Sequence, residues 1–147
     1  MYIGNHMIQK IEDWEKIFEG LTRFMKDHSI NIVLFKGDLG AGKTTAIKVF
    51  VRFFGCLDEV MSPSFSLINE YECVEGKIFH MDLYRLKNMD EALEIGVEEY
   101  LNSGFPVLIE WPEVIEPLLE DLPNIHIEIE ATENEYRQVS INHGTRI

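Results

Sequence analysis

Basic residues are the conspicuous shortage in this sequence. Lysine and arginine total 13 against 26 aspartates and glutamates, which leaves 147 residues with a net charge of −13 and a pI near 4.7. Nucleic acid is gripped through its phosphates by basic surfaces, so tight binding to DNA or RNA by this chain alone is not expected. An acidic surface serves solubility, or docking onto a basic protein partner. Long apolar runs are missing as well, and none nears the roughly 20 residues that cross a bilayer. The stretch Met1 to Lys16 mixes His, Gln, Lys, Glu and Asp, without the basic start and apolar core of a signal peptide. A soluble protein that stays in the cytoplasm, away from membranes, is the expectation. Cysteine is nearly absent: Cys56 and Cys73 form no CxxC pair. One disulfide is open to them, but without a secretion signal free thiols are expected.

What is present suits one globular domain over residues 1–147, with 46% hydrophobic residues to build a core. Residues 12 to 28 place Trp14, Ile17, Phe18, Leu21, Phe24 and Met25 at spacings of three and four, the stripe of an amphipathic helix. Ile30 to Phe35 is a nearly continuous apolar, β-branched run that suits a buried strand. After a glycine loop, Lys43 to Phe54 resumes helical spacing through Ala46, Ile47, Val49, Phe50 and Phe53. Ser62-Pro63 marks a loop. Phe65 to Cys73 and Lys77 to Leu83 read as extended, joined by a turn at Val74-Glu75-Gly76. Asn88 to Tyr100 reads as one or two short helices broken near Gly96, and Pro106 to Ile109 as a second buried strand ending at Glu110-Trp111-Pro112. Ile125 to Glu130 and Tyr136 to Ile141 complete the chain as a hairpin.

The loop between the first buried strand and the following helix is Gly37-Asp38-Leu39-Gly40-Ala41-Gly42-Lys43-Thr44, a full match to GxxxxGK[ST]. Its glycines let the backbone curl until successive N–H groups point at phosphate oxygens. A helix starting near Lys43 aims its positive dipole end at the same oxygens. Lys43 supplies a mobile cation for the β- and γ-phosphates, and the Thr44 hydroxyl is placed to ligate Mg²⁺. A phosphate loop also needs an acid at the end of a neighbouring strand. Asp82 and Glu110 both follow apolar runs, and Glu110 fits better because its strand is more uniformly apolar and hence more central.

Four segments then carry a resemblance over nearly the whole chain: Gly37 to Thr45, Ser62-Pro63-Ser64-Phe65, His80-Met81-Asp82-Leu83-Tyr84-Arg85-Leu86, and Ile109-Glu110-Trp111-Pro112-Glu113. Their order and spacing resemble the TsaE (formerly YjeE) family of bacterial ATPases, which takes part in making threonylcarbamoyladenosine in tRNA. The resemblance implies an α/β fold, a P-loop sheet with added antiparallel strands flanked by helices. It implies ATP and Mg²⁺ as ligands, with Gly37 to Thr45 on the phosphates and Thr44 with Glu110 on the metal. Asp82 is similar to a family acid important for ATPase activity, placing the attacking water or the metal's water shell. Ser64 stands where the family's switch-like loop has Thr, and keeps the hydroxyl. Trp111 resembles a family residue needed for activity, with a core or interface aromatic as the alternative. Arg137 resembles an arginine near the nucleotide. The implied partners are a TsaB–TsaD-type pair, with tRNA reached only through them, and hydrolysis that is slow without them.

Three other readings of the loop stay open, one of them a non-enzymatic module that binds ATP only to set its shape. A small-molecule kinase needs lid arginines, and the five here (Arg23, Arg52, Arg85, Arg137 and Arg146) form no such cluster along the chain. A GTPase would carry Asn-Lys-x-Asp to read guanine, and that segment is absent.

Overall fold

The computed structural model describes residues 3–56, 60 and 67–143. The loop Ser62 to Phe65, with Ser64, lies outside the described residues.

Strand β1 (Gly4–Ile8) leads into helix α1 (Ile11–Asp27), whose stripe Trp14, Ile17, Phe18, Leu21 and Met25 is buried. The Asp13 carboxylate accepts from the backbone N–H groups of Gln9 and Lys10, at 2.9 and 3.1 Å, and closes the first turn. Strand β2 (Ile32–Lys36) and helix α2 (Lys43–Phe53) flank the glycine loop. Strands β3 (Ile68–Cys73) and β4 (Gly76–Asp82) form the expected hairpin, and the charged segment becomes α3 (Met89–Glu94) and α4 (Val97–Leu101) with Gly96 between them. Strand β5 (Val107–Glu110) is followed by a 3₁₀ turn at Pro112–Ile115 and by α5 (Glu116–Leu119). Strands β6 (Asn124–Ala131) and β7 (Arg137–His143) are the final hairpin.

Among the described residues, strands β1 to β7 join one sheet in the order β1-β7-β6-β2-β5-β4-β3. The centre, β6-β2-β5-β4, is parallel, and β3, β7 and β1 add antiparallel pairings at its two sides. The expected class, a P-loop-like α/β sheet with added antiparallel strands, is what the chain forms. Strands β2 and β5 are buried along both faces, which explains why they read as unbroken apolar runs rather than alternating ones. Helices α1 and α2 cover one face over Phe18, Phe50, Val33 and Leu108; α3, α4 and the turns after β5 cover the other over Leu34, Met81 and Ile109.

Three features depart from the sequence expectations. Strand β1 was not foreseen: only Ile8 of its five residues is buried, and its partner is the distant β7. The two helical turns after β5 were also unforeseen, because segments of four residues show no helical period. Cys56 and Cys73 are joined in a disulfide, not left as free thiols. The reason is local: Cys56 makes an isolated antiparallel bridge with Cys73, the last residue of β3, and this sets the two side chains together.

Candidate active site at the ends of the parallel strands

The parallel strands β2, β5 and β4 end on the same side of the sheet, where an open α/β sheet leaves a crevice for ligands. The glycine loop occupies that side. Gly42 is the residue before α2 and has φ 110°, a left-handed conformation that a side chain would strain. Gly37 is required for a different reason. A Cβ there would come within 2.7 Å of the Ile129 carbonyl oxygen on β6.

Lys43 opens α2 and is 6% exposed. Its Nζ donates to the Gly37 carbonyl at 2.6 Å and stands 3.7 Å from the centre of the Trp111 ring, a cation–π contact. Burial lowers the Lys43 pKa below the ordinary lysine value, against the opposing pull of Glu110, Asp82, Glu113 and Asp38. Glu110 ends β5 directly beside Phe35 of β2, and Asp82 ends β4 opposite Glu110. The central position expected for the Glu110 strand is therefore realised. Burial raises the Asp82 carboxyl above its ordinary range, partly offset by a hydrogen bond from the Tyr84 amide; the neighbouring Glu110 charge pushes the same way as burial.

Trp111 has φ 56°, rare for a residue with a side chain, and precedes Pro112. That turn directs its ring across Lys43 and against Tyr84, 4.9 Å away. Arg137, the first residue of β7, donates from Nε to the Ala41 carbonyl at 2.7 Å and from Nη1 to the Glu135 and Tyr136 carbonyls. It thus straps the last hairpin to the phosphate loop across 96 residues of sequence.

One cavity of about 340 Å³ gathers most of the expected residues: Leu39, Gly40, Gly42, Lys43, Thr44, Thr45, Asp82, Glu110, Trp111 and Arg137. Gly37, Asp38 and Ala41 instead line a second hollow of about 520 Å³, which Leu39 and Gly40 share and which β6 closes with Glu128, Ile129 and Glu130. Sequence reading missed this hollow, since β6 shows only a strand's alternation. It also missed His80 and Tyr71. His80 is fully buried; its Nε2 is 2.8 Å from Glu110 Oε2, and its Nδ1 is 2.9 Å from the Tyr71 hydroxyl. The available signal was one polar residue inside the apolar run Ile78-Phe79-His80-Met81.

The donor set suits Mg²⁺. Among the described residues no group of three or more His, Cys, Asp or Glu side chains could cage a metal alone. Mg²⁺ is commonly held by one or two carboxylates, waters and substrate phosphates. Thr44, Glu110 and Asp82 line one cavity with hard oxygen atoms, and Asp82 and Glu110 repel each other there, a repulsion that a cation relieves.

The profile of the family described as "Threonylcarbamoyl adenosine biosynthesis protein TsaE" matches residues 8–139. The tRNA threonylcarbamoyladenosine biosynthesis protein TsaE of Rickettsia conorii is 40% identical over 137 residues, covering 92% of this chain and 76% of its own. The protein of that name from Aquifex aeolicus is 32% identical over 92% of both chains. Among solved structures, Bacillus subtilis YdiB superposes with a TM-score of 0.65 at 26% identity, over 93% of this chain and 82% of that one.

Proposed function

The chain belongs to the TsaE family, and on that premise we propose that it binds and hydrolyses ATP with Mg²⁺ as a component of the machinery that makes N6-threonylcarbamoyladenosine in tRNA. The observation that supports this reading is the single cavity that collects Lys43, Thr44, Asp82, Glu110 and Arg137 around the start of α2.

The chemistry follows from those residues. The loop amides and the α2 N-terminus bind the phosphates. Lys43 leaves the Gly37 carbonyl and the Trp111 ring for the β- and γ-phosphate oxygens, where its charge is worth more in the transition state. Its depressed pKa does not oppose this, because a phosphate nearby favours the charged form. Thr44 and Glu110 hold Mg²⁺, which supplies neutralisation of charge on the phosphates. Asp82 orients the water that attacks the γ-phosphorus as ADP departs. Trp111 covers the site beside Glu110 and is the ring from which Lys43 is released. The second hollow, closed by β6, offers room for the nucleoside.

The acidic surface supports a division of labour: a TsaB–TsaD-type pair handles tRNA, and this chain acts on the pair as a slow ATP-driven switch in the cytoplasm. Titration with Mg·ATP tests the reading directly. Heat of binding and phosphate release are expected from the natural chain, with both lost in Lys43→Ala. Phosphate transfer to small alcohols in place of water would favour the kinase reading instead.

A further inference from the structure

Four polar or charged side chains are buried among the described residues: Lys43, Glu110, His80 and Asn124. Lys43 and Glu110 belong to the cavity, and the Asn124 amide donates to the carbonyls of Leu119 and Leu122 beside β6. His80 remains. It lies on β4 with no exposed surface, where an aliphatic residue would continue the apolar run. A buried polar group of this kind calls for a specific reason.

The sheet register supplies one. Asn69 pairs with His80, and His80 pairs with Leu108. Tyr71 and Glu110 stand two residues further along their own strands, so both share the face of the sheet that His80 occupies. Tyr71, His80 and Glu110 thus form a row across β3, β4 and β5, linked by contacts of 2.9 and 2.8 Å. The hydrogen-bond directions follow from the end group. A carboxylate only accepts, so His80 Nε2–H donates to Glu110 Oε2. With that proton on Nε2, Nδ1 is placed to accept from the Tyr71 hydroxyl, 2.9 Å away. A glutamate ordinarily turns freely about its side-chain bonds. Here one oxygen is pinned from inside the sheet while the residue itself lines the cavity. Thr44 lines the same cavity as Glu110.

We infer that His80, held by Tyr71, is the positioning residue that aims the Glu110 carboxylate at the metal. This rests on the Mg²⁺–nucleotide reading of the cavity. The groups that orient a metal's ligands set its affinity, and their loss commonly weakens binding by about 10- to 100-fold.

Two calorimetric titrations test it: ADP into the protein in excess EDTA, then Mg²⁺ into the ADP-bound protein. His80→Leu should weaken Mg²⁺ by about tenfold or more and leave ADP affinity in EDTA unchanged. His80→Gln keeps an N–H donor and should recover most of the loss. Tyr71→Phe keeps the ring but frees its orientation, and should weaken Mg²⁺ by a smaller factor; it carries the test if His80→Leu does not fold. Mn²⁺ in place of Mg²⁺, followed by electron paramagnetic resonance, should repeat the order. Unchanged Mg²⁺ affinity in His80→Leu or, where that variant does not fold, in Tyr71→Phe overturns the inference. So does an equal loss of ADP affinity in EDTA, which marks plain packing, or a His80→Gln no better than leucine. A natural chain that binds no nucleotide in either titration overturns the functional reading first, and this inference with it.

Discussion

At the scale of single residues, the two acids at the strand ends have different surroundings and so different expected roles. Glu110 is 4% exposed and gripped by His80, whereas Asp82 is half-buried, with a hydrogen bond from the Tyr84 amide. Asp82→Ala is therefore expected to lower turnover by about 10²-fold, the low end of what a positioned acid or base contributes, and to change Mg·ATP affinity far less. A phosphate-release assay at saturating ATP measures this, and unchanged turnover removes Asp82 from the mechanism. His126 provides a second prediction. It sits on β6 opposite Leu34, and burial, then the charge of Lys36, lowers its pKa below the ordinary histidine value. Glu128 and Glu116 pull the other way without reversing the shift. The unfolded chain then binds the proton more readily than the fold does. This contribution to stability is complete above the unfolded value of about 6.5 and is lost as pH falls through the lowered folded value. Urea midpoints compared between pH 7.5 and 5.5 should fall less in His126→Gln than in the natural chain.

At the scale of elements, α2 links packing to chemistry. Its N-terminus presents Lys43 and Thr44, and its buried face is anchored by Phe50, which is fully enclosed and meets Phe18 of α1 edge-on at 5.1 Å. Phe50→Ala removes that anchor and should destabilise the protein by about 3–5 kcal/mol, read as a lower urea midpoint at unchanged slope. The β2–loop–α2 unit was legible in sequence because each part has a strong local signature: an unbroken apolar strand, obligatory glycines and a period-3.6 helix. Strand β1 had none of these. Gly4, Asn5 and His6 carry no apolar alternation, and the strand exists because β7 offers it an open edge. The Cys56–Cys73 pairing was hidden for a similar reason, since it follows from where β3 ends.

At the scale of the whole molecule, charge governs association. With 26 acids against 13 bases, the chain alone is expected to show no measurable tRNA binding at physiological salt. A gel-shift experiment checks this, and tight binding would defeat the proposal that RNA is reached through partners. Capture of a partner pair from a bacterial lysate should instead depend on ATP and weaken as salt is raised, because complementary charge is screened over about 8–10 Å under these conditions. Among the described residues no helix is long and apolar enough to cross a membrane.

Local chemistry along the chain determined the phosphate loop, the helices beside it, the buried strands β2 and β5 and the two acids that end β4 and β5. Each depends on contacts with near neighbours or on a requirement of the backbone itself. Tertiary structure alone decided which side chains meet: Arg137 reaching Ala41 from the far end of the chain, Trp111 lying over Lys43, and His80 passing between Tyr71 and Glu110. Those meetings depend on strand order and register. Both are set by how the whole sheet closes around its two hydrophobic faces, and a run of residues read by itself does not contain them.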